Sequence, residues 1–60
     1  MKSRKFRVFV VLLSSGESVI IKHHTSLTEE YFKVNAYHYV NKKLSLNISQ
    51  SDVISVTGMD

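Results

Sequence analysis

Residues 6–13 read Phe-Arg-Val-Phe-Val-Val-Leu-Leu, and this apolar run constrains the fold more than any other part of the sequence. Phenylalanine and valine favour an extended, pleated strand. Successive side chains of a strand point to opposite faces, so alternate residues from Phe6 share one face and those from Arg7 share the other. From Phe9 onward both faces are apolar, which is typical of a central strand or of a strand whose second face is covered.

Two more strands are predicted beside this one. Residues 14–17 indicate a tight turn in which Gly16 adopts a positive φ. Residues 18–24 then form a second strand, antiparallel to the first because the connection is short. Residues 52–57 predict a third strand, and residues 58–60 are expected to fray.

A helix is predicted from about Leu27 to about Lys43. Ser26 and Glu29 have the spacing of a capping box, and Glu29 and Glu30 suit the positive end of the helix dipole. Lysines in the last turn complement the negative end.

The resulting β-β-α-β order predicts an α+β fold. A right-handed crossover places the third strand on the far side of the first, which gives a three-stranded antiparallel sheet of order 2-1-3 with one helix packed on it. Residues 44–51 fit either a short strand or a loop that tucks its leucines under the helix. Residues 1–60 form one small domain, in which residues 1–4 are expected to be a flexible basic N-terminus.

The predicted helix has two apolar sides, although a surface helix usually has one. At 100° per residue, one side carries Phe32, Ala36, Tyr39 and Val40. The nearly opposite side carries Leu27, Tyr31, Val34 and His38, flanked by Tyr37 and Leu44. A three-stranded sheet covers one side only, so we expect the second side, and the second face of the first strand, to contact a protein partner. The predicted interface residues are Tyr31, Val34, Tyr37, His38, Phe9 and Val11.

The small size of the chain also favours a partner. A core of 60 residues contributes on the order of 3–5 kcal/mol, and small domains usually add disulfides, a metal or a second subunit. The sequence has no cysteine, which excludes disulfides and thiolate metal sites and is in keeping with a reducing cytoplasm. We therefore expect a homodimer, the commonest form of self-association. The longest apolar run is far below the roughly 18 residues of a membrane span, so no membrane association is expected.

No catalytic or cofactor site is predicted. His23 and His24 are adjacent in a strand, so their side chains are expected on opposite faces, away from any shared metal. The serines suit turns and helix caps, and none stands in a nucleophile-elbow context. Neighbouring Glu29 and Glu30 point about 100° apart on a helix. The sequence therefore predicts a protein that is not an enzyme and has no cofactor.

Nucleic-acid binding is the alternative function. The net charge is +3, and the cations could form a basic surface. The hairpin register decides whether Arg7 and Lys22 come near one another. No helix-turn-helix, zinc-finger or RNP-type motif is present in the sequence. The candidate residues for this alternative are Lys2, Arg4, Lys5, Arg7, Lys22, Lys42 and Lys43.

The sequence thus predicts a small non-catalytic protein-interaction module, homodimeric and cytoplasmic. The β-β-α-β order and the size resemble small phage-encoded inhibitors of uracil-DNA glycosylase, which dimerise and mimic DNA. Those inhibitors are strongly acidic, whereas this chain is basic, so the resemblance transfers no residue and no activity. An accessory or inhibitor protein of a phage or mobile element would fit this size.

Overall fold

The computed structural model of the chain describes residues 4–59, which form three strands and two short helices. Residues 1–3 and 60 lie outside the described part, so the expected basic N-terminus is described at Arg4 alone. The elements in chain order are β1 (Lys5–Leu13), β2 (Ser18–Thr28), α1 (Glu29–Val34), α2 (Ala36–Leu44), a 3₁₀ helix (Gln50–Asp52) and β3 (Val53–Met59).

The turn between β1 and β2 has the backbone geometry that its sequence predicts. Gly16 has a φ of 93°, a region that glycine adopts without steric cost. Its N–H donates to the carbonyl of Leu13 at 2.9 Å, and the N–H of Leu13 donates to the carbonyl of Glu17 at 2.8 Å. The two strands therefore form the predicted antiparallel hairpin.

The strand β1 lies at the centre of the sheet, as its apolar pattern on both faces predicts. The order is β2-β1-β3, and β1 is antiparallel to both neighbours, which confirms the predicted topology. Alternate side chains of β1 differ in burial. On the side that the helices cover, the side chains of Phe9, Val11 and Leu13 are buried. On the other side, those of Val8, Val10 and Leu12 are half-buried.

A wide bulge interrupts β2 beyond the hairpin. Lys22 pairs with Val8 but Leu27 pairs with Phe6, so residues 23–26 of β2 lie opposite Arg7 alone. Pairing resumes after the bulge, and for that reason β2 is longer than its sequence predicts.

The helix α1 begins later than predicted and uses a different cap. The side chain of Thr28 accepts a hydrogen bond from the N–H of Tyr31 at 3.2 Å. The predicted capping box of Ser26 and Glu29 does not form, because Ser26 still belongs to β2. Instead, the Glu29 carboxylate accepts a hydrogen bond from the N–H of Gly58 at 2.6 Å and so ties the start of α1 to β3.

The helical segment is divided at Asn35, which differs from the single helix predicted. Asn35 has φ −115° and ψ 11°, outside the α-helical region. Its N–H donates to the carbonyl of Phe32 at 3.0 Å, and its carbonyl accepts from the N–H of His38 at 3.0 Å. Asn35 is therefore both the C-cap of α1 and the N-cap of α2, and it acts through its backbone, because its side chain makes no capping hydrogen bond.

The strand β3 extends to Met59, past the end predicted. Gly58 and Met59 both pair with β1, so the expectation that they fray is wrong, while Asp60 lies outside the described residues. A Cβ at Gly58 would lie 2.2 Å from the nearest ring atom of Phe6. Glycine is needed here because the phenylalanine ring occupies the space of a side chain.

Residues 45–49 form a loop between α2 and the 3₁₀ helix, so the predicted loop is found and the predicted short strand is not. The side chain of Asn41 donates to the carbonyl of Ile48 at 2.9 Å and accepts from its N–H at 2.8 Å. Ile48 packs against the core, whereas Leu44 and Leu46 are exposed. The loop is thus anchored by its isoleucine and not by its leucines.

The core lies between one face of the sheet and the two helices. The rings of Phe9 and Phe32 stack at its centre, with centroids 4.0 Å apart and an interplanar angle of 9°. Among residues 4–59, no helix packs on the other face of the sheet, so the fold has two layers. The buried hydrophobic side chains are Phe9, Val11, Leu13, Val19, Ile21, Phe32, Ala36 and Val40.

Candidate functional site

The uncovered side of the sheet, called the open face below, presents apolar side chains from all three strands. Pairing places Ile20 of β2 opposite Val10, and Met59 of β3 opposite Val8. Ile20 is 49% exposed and Met59 is 36% exposed. The residues that define the open face are Val8, Val10, Leu12, Ile20 and Met59.

Phe9 and Val11 do not belong to this surface. The sequence analysis assigns them to an interface, but both are completely buried beneath the helices. The alternation of β1 is as predicted, and only the choice of covered face differs, since the helices pack on the side of Phe9. Within this fold neither residue can contact a partner, and the apolar residues of β1 on the uncovered side are their half-buried neighbours Val8 and Val10.

Most of the second apolar side of the helical segment is exposed, but Leu27 belongs to β2 and packs against the core. Tyr31 is 60% exposed and Val34 is 64% exposed, both on α1. His38 is exposed and Tyr37 half-buried on α2, with their rings 6.4 Å apart. Because Asn35 separates the two helices, these four residues do not form one helical stripe.

The two adjacent histidines lie side by side, which corrects the expectation that they point to opposite faces. The rings of His23 and His24 stack with centroids 4.6 Å apart and planes 24° apart. Both residues lie in the bulge of β2, where the alternation of a regular strand is lost. Nδ1 of His23 also accepts a hydrogen bond from the N–H of Thr25 at 3.1 Å. Among residues 4–59, no group of three or more histidine, aspartate and glutamate side chains could hold a metal ion.

The predicted basic residues divide into two groups. Lys2 lies outside the described residues, and the guanidinium of Arg4 lies 5.1 Å from the ring centre of Phe6. Lys5 and Arg7 line a shallow groove of about 270 Å³ together with Phe6, Val8, Ser26 and Met59.

Lys22 lies close to this first group along the backbone, since it pairs with Val8, which directly follows Arg7 in β1. Successive side chains of a strand point in different directions, so this pairing does not by itself bring the side chains of Arg7 and Lys22 together. A single basic surface therefore stays a prediction.

The second basic group surrounds a groove between the edge of β2 and α2. The groove has a volume of about 330 Å³ and is called the lysine groove below. Lys43 also donates from Nζ to the carbonyl of Ile20, and Lys42 is exposed. The residues that line the lysine groove are Ile21, Lys22, Tyr39, Lys42 and Lys43.

The core fixes the position of Tyr39 in the groove. Its ring stacks on Phe32 with centroids 4.8 Å apart and an interplanar angle of 8°. The ring of His23 meets it edge-on at 5.6 Å. Since Phe32 also stacks on Phe9, a continuous series of rings leads from the core to the groove wall.

Carboxylates are engaged on the opposite edge of the sheet. Glu29 accepts from Gly58 in β3, and Asp52, just before β3, accepts from the N–H of Ser49 at 3.1 Å and from Oγ of Ser14 at 3.3 Å. None of the residues that line the lysine groove is acidic. The β2 edge is therefore the more basic of the two edges.

Sequence reasoning finds the lysines of this groove but not its apolar walls. Tyr39 is assigned to one apolar side of the helix and Ile21 to the predicted second strand, and the structure places them both in the core layer and at the groove. For Tyr39, the signal that could have found it is the position of Lys42 and Lys43 three and four residues later, on the neighbouring turn of the helix.

No helix formed by the described residues is long and apolar enough to cross a membrane. Comparison of the chain with known protein families, with curated proteins and with solved structures finds no match.

Proposed function

We propose that this chain is a non-catalytic protein-interaction module that self-associates through the open face of its sheet. The observation that carries the proposal is the composition of β1 on that face, where Val8, Val10 and Leu12 follow one another. An antiparallel sheet with a solvated face usually alternates apolar and polar residues. Here the central strand is apolar on both sides although the helices cover only one.

The open face is continuous along β1, which separates it from the exposed helix residues, and it is bordered by Lys22 opposite Val8 and Thr57 opposite Val10. Val10 and Ile20 are cross-strand neighbours, as are Val8 and Met59, so their side chains adjoin on one rigid surface. The exposed residues Tyr31 and Val34 lie on a six-residue helix that ends before Asn35. A contiguous apolar patch marks an interaction site more strongly than single exposed side chains do.

A second copy of the chain is the partner to which we commit. Three strands spaced by about 4.8 Å, over about seven residues of 3.3 Å, give a face of roughly 300–400 Å². Two such faces bury less than the 1,200 Å² or so of a standard interface. We therefore expect a weak dimer, with a dissociation constant on the order of 100 µM.

Sedimentation equilibrium over about 10 µM to 1 mM protein tests the proposal. Ile20→Lys places a charge on the open face at an exposed edge-strand position and is expected to yield monomer throughout. Val34→Lys is the matched control, because Val34 is an exposed β-branched residue on the helix side. It is expected to associate like the unchanged chain. A monomeric unchanged chain, or dissociation by Val34→Lys alone, would overturn the proposal.

We also propose a cellular location and a biological role for this chain. The cysteine-free composition supports a cytoplasmic location. The size of the chain supports an accessory or inhibitor role in a phage or mobile element.

A further inference from the structure

We propose that the lysine groove binds the backbone of single-stranded nucleic acid, a function separate from association through the open face. Three of the five residues that line the groove are lysines, and the other two are the apolar side chains of Ile21 and Tyr39. Ammonium groups bind phosphate, and an aromatic side chain beside them offers a surface for a base.

The charges of the groove are available to a ligand. No carboxylate lines it, whereas Glu29 and Asp52 accept hydrogen bonds at β3, on the opposite edge of the sheet. Lys43 is held by the carbonyl of Ile20, which fixes its ammonium group at the groove. The groove therefore presents positive charge at a defined place.

The three lysines of the groove favour a polymer over a free nucleotide. Lys22 lies on β2, whereas Lys42 and Lys43 lie on α2, so the ammonium groups come from both walls of the groove. Successive phosphates of a strand can contact all three lysines, whereas a nucleoside monophosphate carries a single phosphate.

The shape of the site favours a single strand over a duplex. The groove lies between the edge of β2 and α2, and its volume of about 330 Å³ is at the lower limit of small-ligand sites. A duplex is usually read by a helix inserted into its major groove, which is about 12 Å wide. The bulge of β2, with the stacked rings of His23 and His24, lies beside the lysine groove and provides further ring surface for unpaired bases.

A fluorescence-anisotropy titration with a labelled decathymidylate tests the proposal. Contact with about three phosphates predicts a slope of log affinity against log salt of about −2.1, so affinity falls about 18-fold from 50 to 200 mM salt. Lys42→Ala removes one contact, and the same change in salt then lowers the affinity only about 7-fold. Lys33→Ala is the control, because Lys33 is also an exposed lysine in the last turn of a helix but lies outside the groove. It is expected to keep the slope of the unchanged chain.

The other outcomes overturn the proposal. Absence of binding at low salt removes the site, and equal effects of Lys42→Ala and Lys33→Ala mean that net charge alone is responsible. Equal or tighter binding of a duplex of the same length, or of inorganic polyphosphate, shows that unpaired bases are not recognised. Neither lysine belongs to the open face, so this result is independent of self-association.

Discussion

The two faces of the central strand present nearly the same residues but differ in what covers them. Val10 and Val11 are neighbours in β1, yet Val11 is completely buried under the helices and Val10 is only half-buried. Residue type therefore does not decide which face of this sheet becomes the core. Which face is buried depends on the side of the sheet on which the helices between β2 and β3 pack. The uncovered face is as apolar as the buried one along β1.

The largest effect is expected when an aspartate replaces each of the two neighbouring valines, Val10 and Val11, because only one of them is fully buried. Val11→Asp buries an unpaired carboxylate, which costs several kcal/mol, and the whole domain has only about 3–5 kcal/mol of stability. We expect this variant to be unfolded by circular dichroism. Val10→Asp is expected to stay folded, with a loss of about 1 kcal/mol from the poor strand propensity of aspartate.

Unfolding of both aspartate variants to the same extent would contradict the distinction between the faces. It would mean that the open face is covered in the folded species, and that the single chain depends on association for its structure.

The next test compares two neighbouring residues of β3. Gly58 pairs with Phe9, and Thr57 pairs with Val10 on the open face. Gly58→Ala forces the ring of Phe6 to move, because the new Cβ would lie 2.2 Å from it. Overpacking of this kind costs about 1–3 kcal/mol.

Urea denaturation of Gly58→Ala and Thr57→Ala measures the contrast. We expect the exposed Thr57 to lose about 0.5 kcal/mol or less on truncation. A Gly58→Ala variant as stable as the unchanged chain would mean that Phe6 is free to leave its place over β3.

A smaller loss of stability is expected from the hydrogen bonds that attach the loop after α2 to that helix. Asn41→Ala removes both hydrogen bonds to the backbone of Ile48 and leaves that N–H and carbonyl without their partner. The expected loss is about 1–2 kcal/mol, read from the urea midpoint. Asn47→Ala changes an exposed asparagine of the same loop and should leave the midpoint unchanged. Equal midpoints for the two variants would show that the loop does not contribute to stability.

The strand order could be predicted because it follows from local signals. The turn at Gly16 specifies the hairpin, and the pattern of β1 on both faces places it in the centre of the sheet. The start of α1 and the break at Asn35 could not be predicted in the same way. The start of α1 depends on contacts distant in sequence: β2 extends through Ser26 because Phe6 and Leu27 pair beyond the bulge, and Glu29 reaches Gly58 in β3. The break at Asn35 is formed by hydrogen bonds to Phe32 and His38, and the apolar periodicity continues across it, so the pattern does not reveal it.

The candidate surfaces also divide into a part that local sequence patterns predict and a part that depends on tertiary packing. Periodicity correctly predicts that Tyr31 and Val34 are exposed, because the buried side of the helical segment is set by Phe32, Ala36 and Val40. It cannot tell which face of β1 is covered, since both faces are apolar. The lysine groove depends on the placement of α2 beside the edge of β2, which no local pattern of the sequence specifies.

The smallest effect on stability is expected from Val10→Thr, which nevertheless weakens association. The hydroxyl replaces one methyl group at a half-buried position, so we expect the free energy of unfolding to fall by about 0.5 kcal/mol. In a twofold dimer the change occurs twice at the interface, at a cost of about 1 kcal/mol or slightly more, which raises the dissociation constant about tenfold. Sedimentation equilibrium measures this shift, with Val34→Thr on α1 as a control that should not change it. A dissociation constant unaltered by Val10→Thr would show that the centre of the open face lies outside any contact between two copies.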